Sequence, residues 1–550
     1  MNIDKFYKKK QGEQYIFALA LGLVISLIMV IWIVVIILSR GLGFFWPGEI
    51  VHITTKDDRQ YLGELWTEET RKEHTDSGIV KINNTQLKTG NRDVYGIDFV
   101  WINNATIKSS DKPEFAVVFE RKEYGNAYGY ISSVQIGDSN YTYSEEKIIS
   151  IAKKAFDSAQ KNHENLLDIQ EQINDLLAPL TRIQREISLL EFKQNMLTPA
   201  EKKELEILKS KAVTLEQSIS APYQKLTDKL AEYTEIDRKI NFTLSLADDR
   251  AVDLKASKIV RFYLPNQMNV FSKSVHYISK LWELVSAEPR ESNTEGGIFP
   301  AIFGTVLMVI LMSIAVVPLG VMVAIYLNEY AHQGVIIRAI RMAISNLAGV
   351  PSIVFGIFGL GFFIYYFGGS IDQMFFSDKL PEPTFGTGGI LWASLTLALL
   401  TLPVVVVATE EGLLAVPRAN KEGALALGAT QWQMIRKIVL PNAMPGILTG
   451  IILAVSRGAG EVAPLMITGV VKLAPAMPFD LTFPFFHLDR KFMHLGFHIY
   501  DVGFQSPNVE AAKPMVYLTA LLLIAIVVAL NLLAIFLRNQ LRKKLKTSAF

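Results

Sequence analysis

Residues 422–441 read Glu422-Gly423-Ala424-Leu-Ala-Leu-Gly428-Ala-Thr-Gln-Trp432-Gln-Met-Ile435-Arg-Lys-Ile438-Val-Leu440-Pro441. The small residues Gly423, Ala424 and Ala426 leave one side of a short helix nearly bare, so another surface can approach its backbone closely. Gly428 is placed to end that helix, because glycine accepts the left-handed backbone of a C-terminal stop without steric cost. Beyond it, Trp432, Ile435 and Ile438 recur at threes, the mark of a second, amphipathic helix. Glu422 can pair with a cation or cap the first helix. Pro441 and Pro445 are expected to limit helix continuation just before the next apolar block. The stretch therefore predicts a two-helix elbow lying along a membrane.

The membrane follows from the blocks on either side. A hydrocarbon core of about 30 Å needs roughly 20 apolar residues in a helix. Six stretches qualify: Tyr15–Leu38, Ile298–Tyr326, Asn346–Phe367, Gly389–Thr409, Gly446–Val470 and Met515–Leu537. The first follows Lys5, Lys8, Lys9 and Lys10 and has no small-residue cleavage site before Ser39, which predicts an uncleaved anchor within residues 1–40. Loop cations set the orientation. Arg338 and Arg341, then Arg418, Lys421, Arg436 and Lys437, then Arg538, Arg542, Lys543, Lys544 and Lys546 fall on one side with the N-terminus. That side is expected to be the cytoplasm, holding both termini, the tail 541–550 and the loop 410–441. The opposite loops are poorer in cations, although the last carries Lys472, Arg490, Lys491 and Lys513.

Composition removes several function classes. Net charge is +2, so no global field points to nucleic acid. Cysteine is absent, which excludes disulfides, thiolate chemistry and Cys-ligated metals. No Gly-Lys dipeptide occurs, so there is no P-loop phosphate cradle and no ATP hydrolysis by that route.

Residues 41–297 form a polar insert, expected outside the cytoplasm. Its first part, 48–143, predicts strands from the runs Gly78-Ile-Val-Lys-Ile, Phe115-Ala-Val-Val-Phe and Tyr128-Gly-Tyr-Ile. From Ser144 the period becomes helical. Leu166, Ile169, Ile173, Leu176, Leu180, Ile183, Ile187 and Leu190 step by threes and fours, as a coiled-coil seam does. Thr198-Pro199-Ala-Glu201 combines an N-cap, a first-turn proline and a capping-box carboxylate. A second series follows at Leu205, Leu208, Ala212, Leu215, Ile219 and Leu226. An antiparallel hairpin over 144–245, turning near Leu197–Pro199, is expected, with kinks at Pro179 and Pro222. Its role is either a structural spacer or a docking surface for a binding protein or sensor.

The spacing Glu422-Gly423-Ala424, three residues, Gly428, nine residues, Ile438-Val-Leu440-Pro441 resembles the EAA loop of ABC-importer permeases, E-A-A-x3-G-x9-I-x-L-P. Gly423 in place of an alanine is the one departure. Five further segments are similar to PstA-type phosphate permeases: Gly297-Ile-Phe-Pro-Ala-Ile-Phe-Gly-Thr, Val317-Pro-Leu-Gly320, Ala324-Ile-Tyr-Leu-Asn-Glu329-Tyr-Ala, Asn346-Leu-Ala-Gly-Val-Pro351-Ser352-Ile-Val-Phe-Gly and Ser456-Arg457-Gly-Ala-Gly-Glu461-Val-Ala-Pro464-Leu. The resemblance covers the anchor and about 295–540.

It implies an α-helical polytopic membrane protein with the six transmembrane helices of the type I ABC importer permease fold, plus an extracytoplasmic α+β insert. Glu422, Gly423, Ala424, Gly428, Ile438, Leu440 and Pro441 would form the coupling helix, set in a cleft of an ATPase. The chain would be a transporter subunit and not an enzyme, with no cofactor of its own and ATP-Mg in the partner ATPase. Implied partners are a PstC-type permease, two PstB-type ATPases and an extracytoplasmic phosphate-binding protein, with a phosphate-sensing regulator as a further candidate. The place is a bacterial inner membrane, with five spans in 298–540 and the insert in the periplasm. Arg457 and Glu461, four residues apart, are expected mid-span on one helix face. Ionisable groups at that depth face a bundle interior or a watery path. They are read either as a structural ion pair or as a phosphate-path site, in which Arg457 offers a forked cation to an oxyanion. Asn346 and Ser352, flanking Pro351, are read as path residues or as kink geometry. His487, His494 and His498 share one outside loop, and a metal site there is the weaker reading. Two other functions compete: the same fold importing sulfate, molybdate or a phosphonate, and a mechanical or sensory membrane relay.

Overall fold

The computed structural model describes residues 3–547 except 76–77, 143, 193–197, 481–484 and 507. The chain divides into two compact units, residues 46–280 and residues 1–45 with 281–550.

The first unit is the insert, narrower than 41–297. It holds two antiparallel sheets. One orders β4 (Phe99–Asn103), β3 (Gly78–Lys88), β2 (Gln60–Thr75), β1 (Ile50–Thr55) and β5 (Ile107–Asp111). The other orders β10 (Ala251–Lys255), β9 (Ile240–Ser245), β7 (Ala127–Ile136), β6 (Val117–Arg121) and β11 (Ile259–Tyr263), with β8 (Ser139–Tyr141) on β7. The helical hairpin lies within the second sheet. It comprises α1 (Glu145–Phe192) and α2 (Pro199–Arg238), and β7 pairs directly with β9 across it, Tyr130 opposite Ser245 and Ile136 opposite Ile240. The hairpin thus ends at Arg238 and not at 245, and strands resume after it. Helix α1 continues through Pro179 and α2 through Pro222. The expected turn falls at Leu197, outside the described residues, while Thr198 forms the anticipated capping box with Glu201.

The first turns of α1 lie on the sheet. Ile148, Ala152, Ala155 and Ala159 are buried against Phe119, Phe242 and Ile259. Alanines at this spacing let a helix axis approach a sheet closely while the phenylalanines fill the space between. Each buried phenylalanine contributes about 2–3 kcal/mol. Farther along, the two seam series are buried or part-buried between α1 and α2.

Among the described residues of the second unit, six helices are long and apolar enough to cross a membrane: Tyr15–Phe45, Phe299–Tyr330, Ser352–Phe375, Ile390–Leu414, Gln431–Gly460 and Val509–Gln540. These are spans one to six, and the chain is a multi-pass membrane protein. Span four is the hub. Ile390, Ala393, Leu397 and Val405 pack on Met308, Met312 and Val316 of span two and on Ala454 of span five. Spans four and five nearly touch backbones, since a Cβ on Gly446 would lie 2.5 Å from the Cα of Gly412. Ser456 of span five and Asn531 of span six exchange hydrogen bonds at 3.0 and 2.8 Å. Span one lies against span six near Gly41 and Leu518, and its apolar side chains are otherwise bare.

Two span limits differ from the sequence reading. Span three begins only at Ser352, and Asn346 belongs to a separate amphipathic helix, α3 (Val335–Leu347). Span five runs over 431–460 and not 446–470. Residues 435–439 form a π turn that carries the helix past Pro441 and Pro445, with the Asn442 side chain donating to the carbonyl of Ile438 at 2.7 Å. The segment 541–547 continues the last helix.

Candidate functional site

The elbow begins with α4 (Arg418–Ala426). Gly428, at φ 83°, ends it in a Schellman turn. Its N–H donates to the carbonyl of Leu425 at 2.9 Å, and that of Ala429 donates to Ala424 at 3.1 Å. Thr430 then caps α5 (Gln431–Met434) reciprocally with Gln433. The inner side of the elbow is held by burial, because Met434, Ile435 and Val439 pack with Val406, Leu413 and Ala443, and Ala424 joins them. The outer side is bare: Leu427 is 92% exposed and Trp432 59%. Glu422 and Gly423 are exposed as well. Ile438, Leu440 and Pro441 lie half-buried at the base of span five. The arrangement offers an apolar knob, Leu427, on a rigid turn beside a helix face stripped to glycine and alanine.

The polar pair lies at the far end of span five and not mid-span, because the span starts and stops earlier in the chain than the sequence suggests. Gly450 faces Val405 and Ala408 in span four, and Arg457 lies seven residues, about 10 Å, farther along span five. Its Nε is 3.7 Å from Oε1 of Glu461, with the side chains 33% and 21% exposed. The two do not share a helix. Span five ends at Gly460, and Glu461 is extended at φ −78°, ψ 137°. A short helix, α6 (Ala463–Thr468), follows it. Neighbouring Ser456 is turned toward Asn531 of span six, so Arg457 projects about 100° round the helix from that contact.

Ser352 opens span three just after Pro351. One turn on, Gly356 lies against α6, where a Cβ would stand 2.8 Å from the Cα of Pro464. This contact brings the start of span three beside the break at Glu461. Asn346 is exposed on α3 across the Pro351 break.

The histidines separate. His487 meets Asp480 at 3.0 Å. His494 is buried, its Nδ1 accepting from the N–H of Gly496 at 3.1 Å. His498 is buried with its Nδ1 3.2 Å from the hydroxyl of Thr519. Burial pushes His494 down to about 3. Burial, helped by Lys472, pushes His498 down to about 4. Both are neutral imidazoles at ordinary pH.

Residues 316–547, which include the elbow and both members of the polar pair, match the family described as binding-protein-dependent transport system inner membrane component. The chain is 31% identical over 278 residues to the probable ABC transporter permease protein YqgI of Bacillus subtilis (strain 168), covering 49% of this chain and 88% of that one. It is 35% identical over 238 residues to the phosphate transport system permease protein PstA of Mycobacterium leprae (strain TN), covering 43% and 69%. Against the probable ABC transporter permease protein YqgH of Bacillus subtilis (strain 168) the match is 32% over 195 residues, covering 35% and 59%. The chain belongs to this family. The expected ABC importer permease fold and PstA-type resemblance hold, and the family match contains none of the insert.

Sequence reasoning passed over two features of this permease. Leu427 was one leucine among several, and only the Schellman geometry shows that it stands clear of the fold. Asp372, near the end of span three, is 1% exposed and accepts from the N–H groups of Phe385 and Gly386 at 2.9 and 2.6 Å. It lies beyond the apolar block Asn346–Phe367, so no sequence signal marked it.

Proposed function

We propose that this chain is one of two permease subunits of an ATP-driven importer of inorganic phosphate. The observation that carries the reading is the elbow: a bare Leu427 on a glycine-stopped helix, at the spacing of the EAA loop. Such a surface suits the cleft of a separate ATPase, where ATP-Mg would be bound. The partners on this reading are a PstC-type permease, two PstB-type ATPases and an extracytoplasmic phosphate-binding protein. On this reading, which the cation-rich loops support, the elbow and both termini would lie in the cytoplasm of a bacterial cell and the insert in the periplasm. Arg457, a third exposed at the flank of span five, would meet the partner permease and the path between the two. There its guanidinium offers two parallel N–H donors to an oxyanion, while Glu461 sets how tightly the anion is held. Ser352 and Asn346 would border the same path at the Pro351 break.

Proteoliposomes holding the four proteins test the proposal by ATP-dependent uptake of labelled phosphate, with sulfate and molybdate as competitors. Import of phosphate by wild type, together with an Arg457→Ala variant that assembles and hydrolyses ATP without import, supports it. Selective import of another oxyanion would change the cargo. ATP hydrolysis with no import of any anion would favour a mechanical relay.

A further inference from the structure

Span two ends in a π turn, Tyr326–Tyr330, closed by the N–H of Ala331 donating to the carbonyl of Tyr326 at 2.9 Å. The last carbonyls of a helix have no partner within it. Here other elements supply the donors. The carbonyl of Leu327 accepts from Arg341 of α3 at 3.0 Å, and that of Glu329 accepts from the side chain of Gln431 at 2.7 Å. The Glu329 carboxylate, through Oε1, accepts from Nζ of Lys421 at 2.6 Å and from the side chain of Asn328 at 2.8 Å. Arg341 also stands 3.4 Å from Glu410 of span four.

Lys421 belongs to the first arm of the elbow and immediately precedes Glu422. Gln431 opens the second arm. One residue is therefore gripped by both arms, through its side chain by one and its backbone by the other. The Lys421 and Glu329 side chains are only 19% and 8% exposed. At that burial either charge alone is costly, so the pair is held together strongly. The cations at this helix end also complement its dipole.

We propose that Glu329 is the positioning residue that fixes the elbow to the end of span two. Elbow and span end then move as one body, and displacement of the elbow by an ATPase enters the membrane through span two. The inference rests on reading the chain as an ATP-driven permease.

The test is phosphate imported per ATP hydrolysed in the reconstituted complex, for Glu329→Gln, Lys421→Met, and the exchange of Glu329→Lys with Lys421→Glu. Each single variant is expected to assemble and hydrolyse ATP with an import ratio lower by on the order of tenfold, and the exchange to recover most of it. Single variants with an unchanged ratio would overturn the clamp, as would an assembled exchange variant that recovers nothing. Wild-type vesicles that import nothing overturn the importer reading itself, a separate result. A second measurement uses the absence of cysteine in the chain. Glu329→Cys with Lys421→Cys supplies the chain's only two thiols for a short cleavable cross-linker. Before linking, this variant lacks the ion pair and is expected to import poorly, so movement as one body predicts that the cross-link raises import toward wild type. Import lost on linking and regained on cleavage contradicts it.

Discussion

The insert and the permease solve packing in opposite ways. In the insert, a sheet of large apolar side chains, Phe119 and Phe242 among them, is closed by the alanine face of α1, and the removal of apolar area from water drives the contact. In the permease, lipid is as apolar as the protein, so that drive is missing. Helices meet there where side chains are absent, as at Gly412 and Gly446, or where polar groups find each other, as at Ser456 and Asn531. The first region fails when volume is removed, and the second when volume is added.

That contrast can be broken from either side. The largest loss is expected from Phe119→Ala, about 3–5 kcal/mol, read as protease sensitivity of the insert while the permease unit keeps its own melting transition. Next comes Gly446→Ala, about 1–3 kcal/mol, because the new methyl meets the backbone of span four. The same change at Gly361, where a Cβ meets nothing within 4 Å, should be within about 0.5 kcal/mol of wild type. Thermal denaturation in detergent compares the two.

The buried histidines between spans five and six sharpen the comparison through pH. Folding holds both below the usual histidine range, so the unfolded chain binds protons first. Stability is full above about 6.5 and falls as pH drops toward 4, by at most about 1.4 kcal/mol per unit for each group. His498→Asn should flatten that slope in the permease and leave the insert's acid response unchanged. Within the insert, a smaller loss than at Phe119 is expected from Thr198→Ala, which removes the capping box of α2 at a cost of about 1 kcal/mol. Loss of helical circular dichroism with temperature reads it.

What the sequence shows well is what neighbours decide. The capping box at Thr198, the seam from Leu166 to Leu190 and the glycine stop at Gly428 all depend on residues within one or two turns. Strands β9 to β11 were not legible, because the partner of β9 is β7, on the far side of the whole hairpin. The limits of span five were misplaced because Pro441 and Pro445 signal a stop that the π turn at 435–439 absorbs. Spacing alone puts Glu461 on the helix of Arg457, yet the chain leaves the helix at Gly460 and keeps the two charges within reach by another route. The grip of both elbow arms on Glu329 links residues about a hundred positions apart and could be seen only in three dimensions.

On the proposed reading, this permease would receive its work through the outer face of the elbow. Leu427→Asp tests it most directly, since Leu427 is 92% exposed and its substitution is expected to leave the fold intact. Purified with its partner permease, the variant should elute as the wild-type pair does but fail to retain the ATPase. Retention of the ATPase at wild-type strength would contradict the account.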